Sequence, residues 1–376
     1  MKIGFDAKRL FNNFTGLGNY SRFVVQSLLD YAPENSYILY TPRKRDHPEI
    51  TSITNRKEVS VVTPSHFYTF FGLSSLWRTW GISREPSAAS LNVFHGLSQE
   101  LPSNLPDGIL KIVTVHDLIY YRFPMLYNPL DVAIYKAKVK AACASAHTII
   151  AISRQTADDI VNFLGIPETK IKVVYQGCHP QFRDVKTSTQ VSDVRKKYTL
   201  PDQYMLNVGT IEARKNIILV VRALGLLPPA SRKPLVIMGR ETDYKKEVVA
   251  AAREAGVIDS LIFLHRVPFT DFPYIYQGAQ LFVYPSLFEG FGIPLVEAIA
   301  SGVPVITSTG SCFTEAAGPD SIYVDPSDIE EMALQLNRVL SDNALRQRMI
   351  ASGHKFIERF LPQNIMPALL SIYRGL

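Results

Sequence analysis

Two α/β lobes, each wound on a mainly parallel sheet, form the fold class that three features of this sequence predict. Short apolar runs of strand length alternate with segments of helical periodicity along the whole chain. The runs lack polar alternation, the mark of strands covered on both faces by helices. A polar, poorly periodic stretch over residues 177–192 interrupts the series, and 376 residues exceed what one small core organises.

The opening KIGFDAKRL reads as a short strand. Gly16-Leu17-Gly18 then precedes a helix in NYSRFVVQSLLDYA, where Phe23, Val24, Ser27, Leu28 and Tyr31 recur at helical spacing and Asn19 stands where a cap is expected. Further strands are expected at 37–40, 59–62, 91–94, 112–115 and 148–152. RQTADDIVNFLG reads as a helix stopped by Gly165 and Pro167, and KIKVVY closes the first half. The second series runs through strands at 204–208, 235–238, 261–263, 281–284, 305–307 and 322–324, with helices after Lys215, over 245–255 and from Pro294. DIEEMALQLNRVLS, ALRQRMIASGHKFIERF and LPQNIMPALLSIYRGL complete the chain as helices. The expected domains are 1–180 and 181–355, with 356–376 a helix returning to the first. Two such units imply a cleft between the C-terminal ends of their sheets, where folds of this kind bind ligands.

Composition narrows the function classes. Apolar content of 47% with 20% charged residues is that of a globular chain. Cys143, Cys178 and Cys312 lie far apart without a CxxC pair, which argues against a disulfide scaffold and a zinc cluster. Asp6 interrupts the first apolar segment and no run is long enough to cross a bilayer, so the expectation is a soluble cytoplasmic protein without a signal peptide. A formal net charge of +6 suits an acidic small substrate, an anionic membrane face or nucleic acid and does not rank them. Nucleic acid is disfavoured because the aromatic and basic segments form no recognition module.

Chemistry concentrates in SLFEGFGIPLVEAIASG. Gly290 and Gly292 flank Phe291 and permit positive φ or close approach of a ligand, while Pro294 suits a first helical turn. Unpaired N–H groups at that start make an anion site. Glu289 before the turn and Glu297 on the helix can then hold different parts of one extended ligand. A solvated Glu289, and a Glu297 that merely favours the first turn, are equally open at this point. Arg214 and Lys215, in ARKN after the run YMLNVG, supply countercharge for a diphosphate or form a solvated pair. His116, after KIVTV and before Asp117, stands at a sheet edge as a ligand contact or as a capping or packing histidine. Ser153 and Arg154, Ser308 to Ser311, and Glu315 follow other strands and are weaker candidates. No Asp-x-Asp motif or compact His/Asp/Glu set is present, so no metal is expected.

EGFGIPLVEA resembles the E-x7-E segment of retaining glycosyltransferases of the GT4 type, whose GT-B architecture has two Rossmann-like domains facing across a cleft. TGLGNYSRFVVQSLL, VHDLIYYRFP, NVGTIEARKNI and SIYVDPSDIEEMA resemble, in order, that family's glycine turn, histidine loop, phosphate-binding segment and C-terminal element. The resemblance implies that Glu289 contacts the donor sugar and Glu297 the ribose, and that the backbone of Phe291, Gly292, Ile293 and Pro294 approaches the sugar and diphosphate. It implies that Lys215, with Arg214, faces the diphosphate beside Gly209 and Thr210; many relatives carry a basic residue where this chain has Thr210. His116 maps onto the histidine near the reacting centre, and Gly16 and Gly18 onto the loop near the donor phosphate. The implied activity is retaining hexosyl transfer without cofactor or metal, with a nucleotide sugar, GDP-mannose, as donor. The implied acceptor is a glycan or lipid-linked glycan in cell-surface polysaccharide synthesis. A sugar-nucleotide epimerase and an inactive sugar-nucleotide-binding scaffold remain as alternatives on the same architecture.

One segment lies outside these motifs. HFYTFFGLSSLWRTWG is rich in aromatics, with Arg78 and Arg84 expected at its polar boundary, and Lys136, Lys138 and Lys140 follow in a helix. Exposed, it would suit peripheral contact with an anionic membrane; buried, it is a connection packed on the first sheet.

Overall fold

The computed structural model describes residues 1–376, except for the side chain of Thr69. Every expected strand forms: β1 Lys2–Asp6, β2 Ser36–Tyr40, β3 Val59–Val62, β4 Val93–Gly96, β5 Leu110–Val115, β6 Thr148–Ala151 and β7 Ile171–Val173, then β8 Met205–Val208, β9 Leu235–Met238, β10 Leu261–Leu264, β11 Leu281–Tyr284, β12 Val305–Ser308 and β13 Ile322–Val324. They make two sheets of parallel pairs, ordered β3-β2-β1-β4-β5-β6-β7 and β10-β9-β8-β11-β12-β13. Each sheet changes direction once, between β1 and β4 and between β8 and β11, as in Rossmann-like units.

Two compact units contain these sheets: Met1–Gly177 with Phe360–Leu376, and Cys178–Arg359. The crossing points lie a few residues from the 180/181 and 355/356 positions read from composition. Residues 177–192 are not a free linker. Phe182 is fully buried in the second unit against the rings of Phe269 and Tyr276, and Thr187 closes a capping box on the helix Ser188–Lys197. A single aromatic anchor and a polar cap give too little periodicity to read as structure.

Other boundaries shift for local reasons. β4 begins two residues late because Leu91 ends the turn Ala88–Ser90 and pairing with β1 starts at Val93 opposite Ile3. The helix Gly16–Tyr31 starts before Asn19. Asn13 Oδ1 does the capping, accepting from Thr15 N at 2.9 Å and Gly18 N at 3.1 Å, while Asn19 Oδ1 accepts from Arg22 Nη2.

The aromatic segment divides. Trp77 is fully buried and donates to Glu85 Oε1 at 2.8 Å, whereas Phe67, Phe70, Phe71 and Trp80 are exposed. Arg78 does not sit at a polar boundary: it points inward, meeting Asp6 Oδ2 at 2.5 Å and Glu100 Oε2 at 3.0 Å. Burying a guanidinium is tolerated because two carboxylates flank it. Asp6→Asn removes the closer charge and strands Arg78, so the first unit should lose about 3 kcal/mol of stability. A denaturant titration checks this; an unchanged midpoint would show that Glu100 alone compensates.

Candidate functional site

In the second unit the candidate residues gather where the sheet reverses. β8 leads through Gly209 to the turn Ala213–Lys215, and β11, its neighbour, leads to Glu289. The turn is folded back by two contacts: Leu287 N donates to Arg214 O at 2.8 Å, and Asn216 Nδ2 donates to Pro326 O at 2.8 Å. Asn216 takes φ 52°, the left-handed conformation that asparagine tolerates, and so turns the chain into the next helix. Between the diverging strands, Asn207 Nδ2 donates to Val283 O at 2.7 Å.

Around one carboxylate oxygen the charges converge. Glu289 Oε1 lies 2.6 Å from Lys215 Nζ, 2.8 Å from Arg214 Nη1 and 3.0 Å from the Tyr284 hydroxyl. Lys215 Nζ also donates to the Tyr284 hydroxyl at 2.6 Å, and Arg214 reaches Phe288 O and Glu212 Oε1. Burial alone would raise the Glu289 carboxyl, but the charges and hydrogen bonds of Lys215 and Arg214 hold it down to about 2. Burial pulls the Lys215 ammonium below its ordinary value, and Glu289 opposes that pull. Oε2 of Glu289 makes no hydrogen bond among the described residues, which leaves an ionised acceptor oxygen for a hydroxyl group. Ser311 fixes the loop, its hydroxyl bonded to both N and O of Glu289.

Glu297 has the opposite electrostatics. It is buried in the helix Ile293–Ala300, where Tyr276 donates to its Oε2 at 2.9 Å. Burial pushes its carboxyl up to about 8 despite that bond. Gly292, at φ 91°, is the residue before the helix, and a Cβ there would press on Leu295 at 3.0 Å. Ile293 is therefore the first helical residue and Pro294 the second, one position later than expected. Phe291 is buried in the same loop. Gly209, at φ 148°, lies against Lys215, where a Cβ would approach Cε at 3.3 Å, and Thr210 beside it is partly buried.

In the first unit His116 follows β5 and is buried. Its Nε2 stands 2.8 Å from Leu97 O, which only accepts, so Nε2 carries the proton and Nδ1 the lone pair. Burial lowers its pKa to about 4, hence the ring is neutral near pH 7. Tyr20 packs edge-on to it with centroids 4.6 Å apart. From Tyr20 a buried chain runs to Thr114 Oγ1 at 3.0 Å, to His95 at 2.8 Å and to the Tyr373 hydroxyl at 2.7 Å, tying the C-terminal helix Pro362–Tyr373 to the floor beneath His116. Asp117 does hold its loop, accepting from Ile119 N and, through its carbonyl, from Gln99.

Gly16 and Gly18 lie in the first helical turn rather than in a preceding loop. A Cβ on Gly18 would overlap Asn13 O at 1.7 Å, whereas Gly16 faces open space. Ser153 caps the helix Arg154–Leu164, and Arg154 pairs with Glu168 on the surface. Ser308 is buried in β12, and Glu315 stands in the first turn of Phe313–Ala317. The reading by sequence missed Tyr276, Tyr284, Asn207 and the chain from Tyr20 to Tyr373. One signal was available: a hydroxylated aromatic in a fully apolar strand, such as Tyr284, needs a partner when buried.

Residues 24–182 match the family model described as Glycosyltransferase Family 4, and residues 191–356 that of Glycosyl transferases group 1. The chain is 30% identical over 287 residues to the O-antigen chain mannosyltransferase B of Escherichia coli, covering 75% of this chain and 74% of that protein. The serotype-specific mannosyltransferase WbdA of the same organism is 28% identical over 71% of this chain, which spans about a third (34%) of WbdA. A crystal structure of Anabaena HepE in complex with UDP and glucose superposes over 100% of both chains with a TM-score of 0.75 at 17% identity. Two Rossmann-like units, each on a parallel sheet, are the architecture of a GT-B glycosyltransferase. This chain belongs to the GT4-type family.

Glu297 predicts a pH dependence. Between its ordinary 4.5 and its folded value of about 8, the folded unit keeps a proton that the unfolded chain releases. The stability it contributes is full below pH 4.5 and is lost as the pH rises through about 8. Glu297→Gln, which cannot ionise, should therefore gain on the wild type in thermal melts as pH increases from 5 to 8. A difference constant across that range would contradict the protonated assignment.

Proposed function

We propose that the protein transfers a hexosyl group, mannosyl from GDP-mannose, with retention of configuration, to a glycan or lipid-linked glycan in cell-surface polysaccharide synthesis. The observation that carries the reading is the buried Lys215, Arg214 and Glu289 cluster at the reversal of the second sheet in a chain of this family. The names of the two mannosyltransferase relatives support the sugar, and the O-antigen name of one supports the pathway.

Each residue receives a chemical task in this reading. Lys215 and Arg214 offset the charge that the diphosphate gains as it leaves, aided by the uncapped helix start at Gly292. Glu289 Oε2 accepts a hydroxyl of the sugar, and Glu297 accepts a ribose hydroxyl once it is ionised. His116 accepts a substrate hydroxyl at Nδ1, because its other nitrogen is occupied by Leu97 O. The bond from the anomeric carbon to the phosphate oxygen breaks, the bond to the acceptor oxygen forms on the same face, and the departing phosphate takes the acceptor's proton. Preorganised charge and orientation then supply the rate, with no protein nucleophile. Among the described residues no three His, Cys, Asp or Glu side chains gather in a metal-binding group, and the reading assigns the countercharge role to the basic side chains.

A nucleotide-sugar panel with a diverse acceptor library, followed by product linkage analysis, tests the donor and the stereochemistry; an inverted product would reject retention. Glu289→Gln and His116→Ala should each reduce transfer about 10²- to 10³-fold with the fold retained. Near-normal turnover in both would remove their assigned roles. Transfer should survive thorough chelation, whereas a strict magnesium requirement would overturn the assignment of countercharge to Lys215 and Arg214.

A further inference from the structure

The outer edge of the first sheet carries a groove that none of the residues assigned above lines. It encloses about 310 Å³, the size of a small-molecule site, between the helix Pro48–Thr54, the edge strand β3 and the loop after β2. Its floor is apolar, with Phe11 and Ile50 buried and Val61 beside them. Its rim is charged: Lys44, Arg45 and Asp46 line it, all exposed and without an ion pair among the described residues. Arg43, also exposed and unpaired, adds a further cation to the same loop.

The loop is held in place although its charges are unmatched. Arg43 O accepts from Thr41 Oγ1 at 2.9 Å and from Asn12 Nδ2 at 3.2 Å, which fixes the backbone just ahead of Lys44. The Arg45 guanidinium lies over the ring of Phe14, 5.7 Å from its centroid. Phe14 is itself fixed by Arg22 at 5.0 Å and by the His47 ring at 4.6 Å. Arg22 is buried and bonded, its Nε 2.8 Å from Glu49 Oε2 and its Nη1 donating to Leu10 O at 3.0 Å and Asn13 O at 2.9 Å. An arginine oriented by a ring, with a lysine next to it and no carboxylate paired to either, is a receptor for an anion.

We propose that this groove binds a phosphate-bearing saccharide, the remote end of the acceptor, with the phosphate on Lys44 and Arg45 and the sugar hydroxyls on Asp46 and Thr54. A guanidinium fork beside a compact ammonium suits a phosphate, and a carboxylate accepts hydroxyls. The position in the sheet supports the acceptor role. β2, β1, β4 and β5 are consecutive and parallel, so the loop after β2 opens on the same sheet edge as His116, about 14 Å away by strand spacing. An oligosaccharide spans that interval. The acceptor role rests on the transferase reading, whereas the binding itself needs neither donor nor turnover.

Calorimetric titration of the full chain in excess GDP tests it. Mannose 6-phosphate should bind, and mannose and inorganic phosphate should each bind about tenfold or more weakly. Lys44→Ala and Arg45→Ala should each lower the affinity for mannose 6-phosphate by about tenfold or more. Thr54→Trp, which fills the groove without changing its charge, should do the same. Circular dichroism and GDP affinity should stay unchanged in these variants; both alanine changes fall at exposed positions, so they carry the test even where Thr54→Trp disturbs its helix. No saturable binding, or equal affinity in the wild type and the alanine variants, would overturn the proposal. So would phosphatidylglycerol vesicles bound in place of the phosphosugar and released by the same substitutions, because the cations would then serve a lipid headgroup. In the transfer assay mannose 6-phosphate should compete with the acceptor and not with the donor, and the reverse would remove the acceptor role.

Discussion

The contact of Lys215 with Glu289 is the constraint on which the second unit's site depends. An ammonium and a carboxylate are both buried there, and either alone would be neutralised or driven to the surface. Paired at 2.6 Å, and shared with Arg214 and Tyr284, Glu289 stays ionised, and its charge opposes the downward pull of burial on Lys215. That is why the turn after β8 must fold back onto the loop after β11, and why Asn216 and Gly292 adopt left-handed conformations on either side. The site is therefore assembled before any ligand arrives, and binding does not have to order these long side chains.

The two buried glutamates show one residue type set to two states by its surroundings. Cations hold Glu289 ionised at about 2, whereas burial pushes Glu297 up to about 8 against the hydrogen bond from Tyr276. Tyr276 and Tyr284, which serve the two carboxylates, both contact the ring of Phe282. The first unit uses a different device. His116 is held neutral and in one tautomer by a backbone carbonyl, and its floor is braced by hydroxyls and a second buried histidine. The ring of His116 is positioned through hydrogen bonds.

The strands were legible because buried parallel strands are short apolar runs, and each run from β1 to β13 is one. Glu289, Glu297, Lys215 and His116 were legible because each follows such a run or opens a helix, at the sheet edge where side chains converge. Partners far apart in sequence left no such trace. Asp6 and Arg78 are 72 positions apart, and His95 and Tyr373 are 278 apart, so neither pair creates a spacing that can be read. Residues 177–192 failed for the converse reason: a capping box and one buried Phe182 make structure from polar residues that have no period. Whether an apolar side chain faces the core or solvent was also undetermined, as the buried Trp77 and the exposed Trp80 show within one segment.

The most direct test of the preassembled charge cluster is calorimetric binding of a nucleoside diphosphate and of its parent nucleoside to the wild type and to Lys215→Met. A diphosphate affinity that falls at least tenfold while nucleoside affinity stays unchanged is the predicted result, since a charge-assisted contact contributes about 1.5–3 kcal/mol. Equal diphosphate affinity in the two proteins would show that the buried ammonium serves only the fold.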